Sequence, residues 1–173
     1  MDRAEMDRAE MVAEMGRVEA DFAALVERAG RSDLRRRSSG TRWTNQQLLY
    51  HMVFGYLIVR TLMPLVHLLG RWGRSRRFAA ALNAAHQPFH VVNYVGSWAG
   101  GQTVPPTATV SLMRRTLRAL QRRLDHENPE TLALTMHFPI EWDPYFRPQM
   151  SVLDVYHYGT EHYDHHRGQL TLD

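Results

Sequence analysis

The run from Leu48 to Leu69 constrains this chain more than any other segment, because it is apolar around its whole circumference and about as long as a membrane span. His51, Arg60, Pro64 and His67 interrupt it, and charged side chains inside hydrocarbon are costly. A helix with no face to show to water must sit among other helices. The segment therefore predicts the central member of a helical bundle, kinked before Pro64 and stopped at Gly70. Its start is marked by a capping box, in which Thr44 caps the backbone and Gln47 reaches back. Trp43 and Leu48 stand where a hydrophobic staple would.

The rest of the chain supplies the neighbours. Met11, Met15, Val18, Phe22, Leu25 and Val26 recur at helical spacing and predict a first helix to about Ala29, which the repeat of Met1–Glu5 at Met6–Glu10 extends or frays. Gly30 to Gly40 is a polar, arginine-rich connection. Ser75 to Asn93 reads as helical but broken at Pro88, and Gly96 to Pro106 as turns. A third bundle helix covers about Ala108 to His126 and stops at Asn128-Pro129. Leu132–Arg147 holds a short alternating piece and then an aromatic loop, and Ser151 caps a last helix reaching about Leu170. Four long helices in one domain, residues 1–173, define an all-α fold, a four-helix bundle with long connecting segments. A chain of 173 residues buries roughly 70% of its unfolded surface in such a core.

Cysteine is absent, which excludes disulfides, zinc–thiolate and iron–sulfur ligation, and a protein-borne thiol nucleophile. Any thiol chemistry needs its sulfur on a substrate. The 21 basic side chains are all arginine. They gather in 31–42, 71–77 and 114–123 with no recognition motif, so solvated faces are expected and a nucleic-acid partner is not. An anionic small substrate is compatible with them. The N-terminal Met-Asp-Arg-Ala-Glu has no apolar signal core, and a cytoplasmic protein without a membrane partner is expected.

The chemistry concentrates in the last helix. His162 and His166 stand four residues apart, on one face and one turn from each other. At 100° per residue, Val152, Val155, Gly159, Tyr163, His166 and Leu170 share a stripe, which points His166 to the core and leaves His162 at its boundary. His51, inside the apolar second helix, is the third candidate. Three neutral imidazoles leave an open position on a divalent metal, as catalytic sites do. Zinc, nickel, iron and copper all suit three imidazoles. His86 and His90 have the same spacing, but Pro88 between them argues against a regular turn. Glu161, His165 and His157 lie on a neighbouring face, either as a solvated stripe or as proton-transfer groups. There is no phosphate loop, nucleophile elbow or His-Glu-x₂-His motif, and Asp154-x₂-His157 lacks the companions of a di-iron site.

Gly40-Thr-Arg-Trp-Thr-Asn-Gln-Gln-Leu-Leu-Tyr-His51 resembles the Gly…Trp-Ser/Thr…Leu-x₂-His opening of the second helix in the DinB/YfiT-like superfamily. His162-Tyr-Asp-His-His-Arg-Gly-Gln-Leu170 is similar to its terminal His-x₃-His…Gly-Gln helix. The resemblance implies a four-helix bundle with a divalent metal on His51, His162 and His166. It also implies a low-molecular-weight thiol of the mycothiol, bacillithiol or glutathione kind. The expectation is a metal-dependent thiol S-transferase, with zinc first and nickel or iron as alternatives. Its partners are a small thiol and an electrophilic substrate, and a homodimer is allowed. Trp142, Tyr145 and Arg147 are the candidates for the pocket rim. A metal-water hydrolase with Glu161 or His165 as base is the runner-up, and a non-catalytic stress-related bundle is the alternative of another class.

Overall fold

The computed structural model describes residues 3–73 and 75–172. In chain order it holds α1 (Arg3–Arg28), a short α2 (Arg31–Arg35), α3 (Asn45–Trp72), α4 (Ser75–Ala84), α5 (His86–Thr103), α6 (Pro106–His126) and the single-turn α7 (Pro129–Leu132). A small hairpin, β1 (Thr135–His137) and β2 (Gln149–Ser151), precedes α8 (Val152–Arg167). The hairpin is antiparallel with Met136 opposite Met150. The bundle is made by α1, α3, α6 and α8: α1 and α3 each pack on both α6 and α8, and α5 lies against α3 outside that square.

Local chemistry sets the starts of the two helices that carry the histidines. Thr44 Oγ1 accepts from the Gln47 N–H while Gln47 Oε1 accepts from the Thr44 N–H at 3.0 Å. Ser151 Oγ and Asp154 make the same reciprocal pair at the head of α8, at 3.0 and 2.7 Å. Each box satisfies two backbone donors that a helix start leaves open. Between the helices, Phe22, Met52, Tyr56, Met63, Leu117, Leu124, Tyr156 and Tyr163 are all but inaccessible to solvent. Such packing, more than helix propensity, holds a bundle together.

Several boundaries differ from the sequence reading, each for a physical reason. α3 does not stop at Gly70. It continues to Trp72, and Gly73 takes the left-handed cap at φ 64°. Gly70 stays helical and makes room for Leu134, whose Cβ is 3.3 Å from where a Cβ on Gly70 would stand. Pro64 lies within the helix on its exposed side, where water can satisfy the carbonyl that loses its partner. The break in the middle segment falls at Ala85, not Pro88. Pro88 sits in the first turn of α5, where no intrahelical N–H is required.

The stretch 96–103 is not a set of turns but the second half of α5. Its glycines serve close packing: a Cβ on Gly101 would come within 2.6 Å of Gln47 Cα, and Gln46 Nε2 donates to the Gly101 carbonyl at 2.7 Å. α5 thus covers the face of α3 that the four-helix square leaves bare. α3 has the length and apolarity of a membrane span, and half of its most apolar window is buried in the protein. At the other end of the chain, α8 stops at Arg167 with Gly168 as its cap, one turn short of Leu170.

The close approach can be tested. Gly101→Ala is expected to lower the urea unfolding free energy by about 1–3 kcal/mol, because backbone on α3 must move. Gly16→Ala, where nothing lies within 4 Å of the added methyl, is expected to raise it by about 0.5–1 kcal/mol. Equal effects from the two variants would refute the packing role of Gly101.

Candidate metal centre

His51 leaves the second turn of α3, and His162 and His166 leave successive turns of α8. One ligand nitrogen from each lies within 4.8 Å of the others. His51 Nε2 and His166 Nε2 are 3.0 Å apart, and the His162 ring centroid is 5.0 Å from that of His51 and 4.5 Å from that of His166. The helical wheel has the order of burial reversed. His162 is only 5% exposed, whereas His166 is half-buried. The reason is Gly55, one turn after His51: a Cβ there would stand 2.8 Å from His162 Nδ1. Glycine opens a hollow on α3, and the His162 ring fills it.

Neighbours fix the rings. His166 Nδ1 donates to Gln169 Oε1 at 2.7 Å, which leaves its Nε2 with a lone pair. His51 Nδ1 meets Ser97 Oγ at 2.9 Å. A hydroxyl both donates and accepts, so Ser97 satisfies either tautomer of His51. Trp43 lies over the His51 ring at 4.4 Å between centroids and stacks on Tyr94 at 5.9 Å. Burial, assisted by the facing histidines, lowers His51 to about 3 and drives His162 well below the ordinary value. His166 falls to about 4, also through burial, which the bond to Gln169 partly opposes. All three rings are therefore neutral near pH 7, the protonation state that metal ligation requires. The His166 Nε2 lone pair, 3.0 Å from His51 Nε2, demands either a proton on that His51 nitrogen or a cation shared by the two. The donor set fits a divalent metal.

Beside the histidines is Asp143, from the loop between β1 and β2. Its Oδ2 lies 3.9 Å from His162 Nε2 and accepts from the Tyr158 hydroxyl at 2.9 Å, while Oδ1 accepts from the Tyr145 N–H at 2.9 Å. Burial raises its pKa against the pull of those two hydrogen bonds. His51, His162, Asp143 and Tyr158 form the polar end of a cavity of about 90 Å³.

The remaining candidates fall in three places. Trp142 lines that cavity, stacks on Phe89 at 3.9 Å and donates from its indole to the Leu82 carbonyl at 2.7 Å. Tyr145, Glu161 and His165 line a separate polar groove with Glu14 and Arg17, and the Tyr145 hydroxyl is 3.0 Å from His165 Nδ1. Arg147 is exposed and paired with Asp154 at 2.8 Å. His86 and His90 do share a regular turn of α5, with ring centroids 6.1 Å apart, but no third ligand joins them among the described residues. Sequence reasoning missed Asp143, Ser97, Gly55 and Trp43 as parts of the site. Gly55 had a local signal, standing four residues after His51. The others arrive through tertiary folding.

A helical bundle whose second long helix and last helix meet in a three-histidine cluster is the class the geometry defines. Residues 14–170 match the DinB superfamily, and the chain belongs to that family. Comparison with curated proteins and with solved structures gives no match. Family and cluster together fit a metal-binding protein.

Two outcomes are expected. Replacing His51, His162 or His166 by Ala removes stoichiometric metal from protein purified without an affinity tag, and His90→Ala retains it; elemental analysis that found equal loss in all four would refute the assignment. An unfolded chain protonates these imidazoles near 6.5 and the folded chain does not, so the unfolded state binds more protons below that pH. Metal-free protein should therefore lose thermal stability as pH falls from about 6.5 towards 4. His51→Asn should lose less over the same interval.

Proposed function

We propose that the chain is a divalent-metal-dependent enzyme that joins a low-molecular-weight thiol, of the mycothiol type, to an electrophilic organic substrate. The observation that carries this reading is the meeting of three neutral imidazoles at the polar end of a cavity in a chain without cysteine. Three protein ligands leave room for a substrate atom, where structural zinc closes its shell with four. Zinc is the ion proposed first, with nickel or iron as alternatives. When bound, the ion supplies Lewis acidity that lowers the pKa of a thiol.

The chain's own residues do the rest. Ser97 and Gln169 hold the rings of His51 and His166, and Trp43 covers one face of His51 and keeps water from it. Asp143 Oδ2 is the carboxylate oxygen nearest the histidines and takes the thiol proton, and burial, which raises its pKa, makes it a better proton acceptor than an exposed carboxylate. The sulfur electron pair forms the new C–S bond. The leaving group departs with the pair of the bond that breaks, and the proton passes from Asp143 Oδ2 to it or to solvent. The proposed location is the cytoplasm, where such thiols stay reduced.

Turnover is expected to need added thiol, to be lost on chelation, and to fall about 10²-fold or more in kcat in Asp143→Asn with metal content unchanged. Robust metal-dependent hydrolysis of an ester or amide in thiol-free buffer would replace this reading with the hydrolase. Absence of both activities in metal-loaded protein would favour a binding protein.

A further inference from the structure

The cavity beyond the histidines has a chemical character of its own. It follows α3 from His51 to Leu69, about 27 Å of helix axis at 1.5 Å per residue. Its walls are aliphatic and aromatic, with Leu65, Val66 and Phe78 typical of them. Apart from the histidine end, its polar side chains among the described residues are Asn93 of α5 and His137 of β1. Its volume of about 90 Å³, spread over that length, makes it a long slot rather than a chamber.

The chain carries 21 arginines, yet among the described residues none lines this space, and the carboxylate that does, Asp143, repels an anion. A second, wider apolar hollow between α3 and α5 shares Ile58, Leu62, Phe89, Asn93 and Trp142 with the slot. Those five residues stand between the slot and the wider hollow, and Phe89 and Trp142 among them stack at 3.9 Å.

We infer that the acceptor substrate is uncharged and carries an unbranched alkyl chain, which lies in this slot along α3 with its reactive end at Asp143 and the histidines. The role as acceptor rests on the transferase reading; the binding of the chain does not. The anionic substrate that the arginine-rich sequence allowed is excluded from this slot by the same walls.

Calorimetric titration of the full-length protein with 1-butanol, 1-hexanol and 1-octanol tests the inference without turnover. Affinity is expected to rise about fourfold per methylene, and octanoate is expected to bind at least tenfold more weakly than 1-octanol. Leu62→Trp, at a position 41% exposed and so free to accept a larger ring, should weaken 1-octanol at least tenfold while metal content is unchanged. Ile58→Trp provides the same block should Leu62→Trp fail to fold. Affinity independent of chain length, tighter binding of octanoate, or 1-octanol binding unaltered in both folded variants would overturn the proposal. Chain-length-dependent binding without thiol-dependent turnover would refute the transferase and uphold the slot. Thiol transfer to small polar acceptors with no alkanol binding would refute the slot alone.

Discussion

The contact between α3 and α8 governs the site, because it is made by two glycines that each receive a ring from the opposite helix. Gly55 on α3 takes the His162 ring. Gly159 on α8 takes Tyr56, whose Cε1 lies 2.5 Å from where a Cβ would be. The exchange sets both the separation and the register of the helices. Tyr56 then reaches Thr160, hydroxyl to hydroxyl at 3.3 Å, within the same contact. His51 stands one turn before Gly55 and His166 two turns after Gly159, so this register brings their Nε2 atoms together. Close-packed interiors accommodate an extra methyl poorly. A side chain at either glycine would separate the two halves of the centre before it unfolded the bundle.

α5 completes what that contact begins. It buries the outer side of α3 and delivers Ser97 to His51 Nδ1, so one helix both shields the apolar run and orients its histidine. Gly100 and Gly101 allow the approach, and they are why the segment was illegible in sequence. Glycine marks a turn when its backbone freedom is used, and a close helix contact when its missing side chain is used; a single sequence does not distinguish them. Pro88 misled in a similar way, since proline disrupts a helix interior but suits a first turn.

Features settled by neighbours in sequence were legible. The capping box at Thr44, the cap at Ser151, the periodic stripes of α1 and α6, and the His162–His166 pair depend on residues at most four apart. His51 was legible because an imidazole inside an otherwise apolar helix needs a partner. Asp143 was not, because a loop residue reaches the site only after the β1–β2 hairpin and α8 have folded around it. Trp43 was read as a helix staple, and its place over His51, where Tyr94 of α5 also stacks on it, becomes visible only in the folded chain.

The apolar walls and the neutral histidines are one property rather than two. Desolvation is the largest influence on all three imidazoles, and the apolar side chains that supply it near His51 and His162 also line the slot. Buried polar rings must still be satisfied. Without metal, His51 Nε2–H donates to the His166 lone pair across 3.0 Å, and Ser97 donates to His51 Nδ1. Metal uptake needs a lone pair on both Nε2 atoms, so the His51 proton must leave that nitrogen. Ser97 gives it a destination: the proton reappears on Nδ1 and the hydroxyl turns from donor to acceptor. The hydrogen-bonded and the ligating arrangements thus differ by no net proton release from His51, and the ring is neutral in both.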